Sequence, residues 1–268
     1  MVNINKWIAD YSSKGYSELH SEARICQDIV LLAISKSEFR RNVTVKGGII
    51  MRSISDDSRR ATLDIDLDFI KFSLEDEAIR KFISKLNVIE GVKIEIVGKI
   101  ETLRQQDYKG KRVDISVNDT YGKSIRSKID FGVHTRFKIN QSEYSFDICL
   151  DEDGASMLIN TNEQIFTEKL RSLLKLGPFN TRYKDIFDMS YLLSKLDRKK
   201  LKVCLNEYVF DDDDMRESNI PDISSRLKNV FDNKRYRQNL NTTDKNWLEK
   251  DIDNTLNGIL DYFNQFSL

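Results

Sequence analysis

The sequence predicts an α+β protein, with a first part of about 155 residues that mixes strands and helices and a second part that is helical. Three observations predict it. Several segments alternate apolar and polar residues with period two, the mark of a half-buried strand. Others space apolar residues at helical intervals. The strand-rich character ends near residue 160. The parts are placed at 1–158 and 159–268, and no flexible linker marks the boundary, so they are expected to pack together.

In chain order, LHSEARICQDIVLLAISK (19–36) reads as a helix and VTVKGG (43–48) as a short strand closed by a glycine turn. ATLDIDLDFIKFS (61–73) alternates with period two and reads as a strand. SLEDEAIRKFISKL (73–86) reads as a helix that Ser73 starts together with Glu75 and Asp76. VKIEIVGKIETLR (92–104), YKGKRVDISV (108–117), IRSKIDFGVHT (125–135) and EYSFDICL (143–150) are strands, with breaks at Gly110 and at Asn118–Gly122. NEQIFTEKLRSLLKL (162–176) is helical, Gly177–Pro178 breaks it, and RYKDIFDMSYLLSKL (182–196) is helical again. The remainder is mostly helical, with polar loops such as the acidic run at 211–214, read as solvated.

The 268 residues are 40% hydrophobic and 32% charged, enough for a substantial core. Lys+Arg and Asp+Glu both number 43. Any nucleic-acid site must therefore be a local patch rather than a property of the whole chain. Cys26, Cys149 and Cys204 are odd in number, far apart and without metal-ligand spacing, which fits reduced thiols in a cytosolic protein. No signal peptide and no run of about 20 apolar residues is found, so a cytoplasmic protein with no membrane partner is expected. His20 and His134, the only histidines, are read as structural.

The chemistry-bearing segment is the alternating strand. Asp64, Asp66 and Asp68 would share one face, with Ile65, Leu67 and Phe69 on the other. Carboxylates about 7 Å apart on one face either face open water, or share a proton or a cation. Upstream, Gly47 and Gly48 permit close approach of the backbone to a ligand, and Lys46 adds a positive charge. That turn is either an ordinary one or a phosphate cradle.

These residues resemble the nucleotidyltransferase superfamily, and more narrowly the AbiEii-type toxins of bacterial toxin–antitoxin and abortive-infection systems. Lys46-Gly47-Gly48-Ile49 matches the family's KGGT turn, and Arg60, Thr62, Asp64 and Asp66 match its R-x-S-x-D-L-D strand. Lys128-Ile129-Asp130-Phe131 matches a later acid strand. Glu168-Lys169-Leu170 and Arg182, Lys184, Asp185, Asp188 match its E-K-L and R-x-K-D-x-x-D helices. The resemblance spans about residues 22–196. Ile49 replaces a small hydroxyl residue, Asp68 is an extra acid, and Asp114 and Asp147 rival Asp130 as the third acid.

The resemblance implies a nucleotidyltransferase-type mixed sheet flanked by helices. It implies transfer of a nucleoside monophosphate from an NTP to an acceptor, with Mg²⁺ or Mn²⁺. Asp64, Asp66 and Asp130 would be the metal ligands and, with Lys169 and Asp185, the catalytic set. Lys46, Gly47, Gly48, Arg60, Thr62, Lys169 and Arg182 would bind the nucleotide. Taken without the resemblance, Lys169 reads as a solvated lysine beside Glu163 or Glu168. Arg182 and Lys184, with Arg171 and Lys175, form a candidate basic patch for RNA. The implied partners are NTP, an RNA acceptor with tRNA foremost, and a cognate antitoxin encoded nearby. The alternatives are an acceptor that is a protein or small molecule, and a nucleotide-binding module that sequesters a partner without turnover.

Overall fold

The structure is a computed structural model and describes residues 2–103, 110–136 and 138–266. The expected strand ends at Arg104 and at Tyr108–Lys109 lie outside the described residues. The chain divides into two compact units, Met1–Thr135 with Gln141–Asn160, and Arg136–Asn140 with Thr161–Leu268.

The first unit runs α1 (Ile4–Ser13), α2 (Glu18–Lys36), β1 (Val43–Val45), α3 (Gly47–Ser55), β2 (Ile65–Phe69), α4 (Asp76–Lys85), β3 (Val92–Leu103), β4 (Gly110–Asp119), β5 (Ser124–Val133), β6 (Ser142–Ile148) and β7 (Asp151–Ile159). Among the described residues seven strands form one mixed sheet in the order β3-β4-β5-β2-β1-β7-β6. The β1–β7 and β2–β5 pairs are parallel and the others antiparallel. The fold class is therefore α+β, as the sequence predicts.

The apolar face of β2 is the seed of this unit's core. Ile65, Leu67 and Phe69 are all buried. Phe69 stacks on Phe131 of β5 and meets Phe72 and Phe82 edge-on, with ring centroids 4.9–5.2 Å apart. Such pairs contribute about 0.5–1.5 kcal/mol each beyond their buried area. They fix β2 against β5, and so fix the polar faces of both strands.

The structure differs from the sequence reading in five places. Helix α1 was not read; Asn3 caps it by accepting the Lys6 N–H at 3.1 Å. Strand β7 was not read either. The glycine pair does not close a strand but forms the first turn of α3, where buried Ile49, Ile50 and Met51 outweigh the poor helix propensity of glycine. Strand β2 starts only at Ile65, because the preceding carbonyls are taken by side chains: Gln27 donates to Thr62 O at 2.9 Å and Ser127 to Leu63 O at 3.3 Å. Finally, Glu75 rather than Ser73 is the cap of α4, and the Ser73 hydroxyl accepts the Glu75 N–H.

The second unit contains α5 (Asn162–Leu176), α6 (Tyr183–Leu192), α7 (Arg198–Leu205), α8 (Ile220–Phe231), α9 (Lys234–Thr242) and α10 (Ile252–Asn264). Thr161 caps α5 through the Gln164 N–H, and Gly177 at φ 56° ends it. Its core joins Phe166 of α5 with Phe263 of α10, both fully buried.

Candidate active site

The first unit brings the glycine pair directly onto the acid strand. Strand β1 pairs with β2, and Lys46 N donates to Asp66 O at 3.0 Å, so the chain enters α3 alongside Asp66. Gly47 has φ +53°, a left-handed value that glycine adopts without strain. A Cβ there would stand 3.0 Å from Asp66 Oδ2, and a Cβ on Gly48 would stand 2.5 Å from Thr62 Oγ1 and 2.8 Å from Thr62 Cβ. Each glycine is thus required by the motif it faces. Alanine at Gly48 forces Thr62 to move, and with it the link to Asp64. Its overpacking cost of about 1–3 kcal/mol exceeds the ~1 kcal/mol that alanine gains in a helix. Gly48→Ala is therefore expected to lower stability by about 1 kcal/mol, readable as a lower urea midpoint at unchanged slope.

The acids separate by environment. Asp66 is half-buried, Asp64 is exposed at a bend outside the strand, and Asp68 is buried. Asp64 therefore does not share the strand face as expected. Asp68 forms an ion pair with Lys46, Nζ to Oδ2, at 3.0 Å. The extra acid and the turn's lysine hold one another, so Lys46 does not stand open to a nucleotide. Arg60 is also buried, in a short turn ahead of β2.

For the third acid the sheet topology is decisive. Asp130 lies in register with Asp66 across the parallel β2–β5 pair. Asp114 on β4 faces Lys128, and Asp147 lies on the edge strand β6, beyond β1 and β7. Lys46, Asp66, Asp68, Asp130 and Gly132 line a narrow cleft of about 20 Å³, room for one water- or ion-sized occupant. A nucleotide would have to lie outside it. Asp130 is not open, however. Arg112 of β4 grips it with two hydrogen bonds, Nε to Oδ1 and Nη2 to Oδ2, both 2.7 Å. Hydrogen bonding to Asp130 raises the Arg112 pKa, opposed by desolvation, with Asp130, Asp64 and Glu101 adding electrostatic support.

The donors fit a hard divalent cation in kind, because one or two carboxylates suffice when phosphate oxygens complete the shell. Among the described residues no group of three His, Cys, Asp or Glu side chains is placed to hold a metal alone.

The second unit assembles its own cluster. Lys169 on α5 is largely buried and is paired with Asp185 and, at 2.8 Å, with Asp188 Oδ2. Asp185 and Asp188 lie three residues apart on α6 and so share a face. The other oxygen of Asp188 accepts the indole N–H of Trp247 at 3.0 Å. Lys169 is therefore not the solvated lysine that the sequence alone suggests. Arg182 is exposed at the start of α6.

The expected basic patch is also corrected. Arg171 is buried and pairs with Asp212, Lys175 pairs with Asp214, and Asp212 further pairs with Arg136. The acidic run is thus their counter-charge rather than a merely solvated loop. Burial pushes the Asp212 carboxyl up, but the Asp214 N–H and the two arginines outweigh it and hold the pKa below its ordinary value. Sequence reasoning missed instead Lys195, Arg198, Lys199, Lys200 and Lys202, on and just before α7. All five are exposed, and none makes an ion pair among the described residues.

A family model described as nucleotidyl transferase AbiEii toxin, type IV TA system, matches residues 29–259. The chain belongs to the AbiEii family. The match extends past the last motif recognised in the sequence, near residue 196, and takes in α7, α8, α9 and most of α10. No curated protein matches the chain. Among solved structures, an antigenic nucleotidyltransferase-like protein from Paracoccidioides brasiliensis is 13% identical, with 83% of this chain and 93% of that chain covered and a TM-score of 0.46. Family membership makes this chain a nucleotidyltransferase-family toxin of the type IV toxin–antitoxin class. Among the described residues no helix is long and apolar enough to cross a membrane.

Proposed function

We propose that this AbiEii chain transfers a nucleoside monophosphate from an NTP to an RNA acceptor, tRNA first, in the cytoplasm, and is neutralised by an antitoxin encoded beside it. The observation that carries the reading is the seating of Gly47 and Gly48 against Asp66 and Thr62. It brings a helix start suited to phosphate beside a carboxylate suited to a cation.

A bound Mg²⁺ or Mn²⁺ would neutralise charge on the triphosphate during in-line displacement at the α-phosphorus. Asp64 and Asp66 would hold it, and Asp130 would complete the acid set and orient the acceptor hydroxyl. The first amides of α3 would receive phosphate oxygens. Within its own unit Lys169, held by Asp185 and Asp188, would act on phosphate as a point charge.

The test is incubation of the protein with Mg²⁺ or Mn²⁺, each α-labelled NTP in turn, and total tRNA. Label in RNA is the expected result. Absence of label in RNA with every NTP, from folded protein, overturns the reading; label on protein or a small molecule moves the acceptor class.

The exposed cations of α7 favour a polyanionic acceptor. Arg198, Lys199 and Lys200 occupy the first turn of the helix, where the macrodipole disfavours positive charge. Exchanging Lys199, Lys200 and Lys202 for glutamine is expected to flatten the salt dependence of tRNA binding by roughly two to three units of log–log slope, measured by filter binding across salt concentrations.

A further inference from the structure

Strand β4 carries the cation that the acid set needs. Arg112 pairs with Asp130 in the antiparallel β4–β5 register and stands across from Glu101 on β3. Its fork holds both Asp130 oxygens at 2.7 Å, and Asp64 acts on it electrostatically. The Asp130 side chain is 13% exposed and that of Arg112 is 32% exposed. One end of the pair is thus inside the cleft, and the other can reach what lies over it. Asp66 sits beside Asp130 in the next strand.

Adjacent carboxylates in a partly dry cleft require a counter-cation. In this chain the guanidinium fills that requirement at Asp130. A divalent ion that used Asp130 would have to displace it. A planar guanidinium binds phosphate with the same two-pronged geometry as carboxylate. Displacement and rebinding would therefore exchange one bidentate partner for another.

We infer that Arg112 is a substrate-binding residue that shares Asp130 with a divalent cation, pairing with that carboxylate and turning to the triphosphate oxygens when the cation takes it. This rests on the nucleotidyl-transfer reading above. No covalent step is involved; the exchange is of ion-pair partners only.

The experiment is Mn²⁺ titration of the nucleotide-free full chain, by electron paramagnetic resonance, for the wild type, Arg112→Gln and Arg112→Gln with Asp130→Asn. Removing the competing fork is expected to tighten Mn²⁺ binding about tenfold, in line with a charged hydrogen-bonded pair. Adding Asp130→Asn is expected to cancel the gain. In the presence of Mn²⁺, Arg112→Gln is expected to weaken binding of a non-hydrolysable NTP analogue about tenfold. An Mn²⁺ affinity unchanged or weaker in folded Arg112→Gln overturns the inference while leaving the transferase reading standing. Failure of both wild type and variant to bind Mn²⁺ overturns both. Should Arg112→Gln not fold, the wild-type protein decides. Its Arg112 Nε–H resonance is expected to shift on saturation with Mg²⁺, and an unmoved resonance at saturation overturns the inference.

Discussion

Asp66→Asn is expected to abolish nucleotide transfer while the protein stays folded. The side chain is half-buried and its Oδ2 faces Gly47. Asparagine keeps the shape, so the glycine packing and the Lys46 N–H to Asp66 O ladder bond survive. What goes is the negative charge beside Asp130, at the position best placed to hold a cation against a phosphate. Metal charge stabilisation amounts to several kcal/mol, and at about 1.4 kcal/mol per tenfold this predicts a loss of about three orders of magnitude. The measurement is the rate of label transfer at saturating NTP, with the thermal midpoint as control. A variant that melts normally and keeps a tenth or more of the rate would falsify the metal role of Asp66. The same variant separates turnover from sequestration: growth inhibition that persists without transfer means that the chain acts by binding.

The acid site was legible because a strand's period of two is local. Ile65, Leu67 and Phe69 marked the core face of β2 and left Asp66 on the other, and the order of motifs pointed to Asp130. Arg112 was missed because register hangs on the exact bounds of the turn. Counted about the turn as read, Asn118–Gly122, Arg112 falls opposite Lys128; the hairpin in fact pairs Asn118 with Ser124, which sets Arg112 opposite Asp130.

Other features had no local signal. The acidic run reads as a solvated loop until Arg136 and Arg171, distant in sequence, are folded onto it. Helix α3 was hidden by the glycines that begin it, whose need is set by Asp66 and Thr62 rather than by helix propensity.

Trp247 lies 59 residues from Asp188, and that contact sets the largest stability effect expected in the chain. Asp188→Ala is expected to destabilise the protein by about 3–5 kcal/mol, the usual cost of stranding a buried charge. Asp188 is fully buried, and its two oxygens are divided between the Lys169 ammonium and the Trp247 indole. Alanine leaves the ammonium with Asp185 as its remaining α6 partner, and leaves a buried indole N–H without its acceptor. Desolvation of each ion is costly, so the intact pair adds little net stability; what is large is the penalty for removing half of it. Against a typical total of about 5–15 kcal/mol, the loss brings the protein near its threshold. Asp188→Asn separates the two contributions. Its amide oxygen can still accept from Trp247, so the indole bond survives while the charge is lost, and about half the penalty is expected. Urea denaturation followed by Trp fluorescence measures both variants. Equal stability of Asp188→Ala and wild type would show that Lys169 is solvated after all, and that the buried cluster of α5 and α6 does not form in solution.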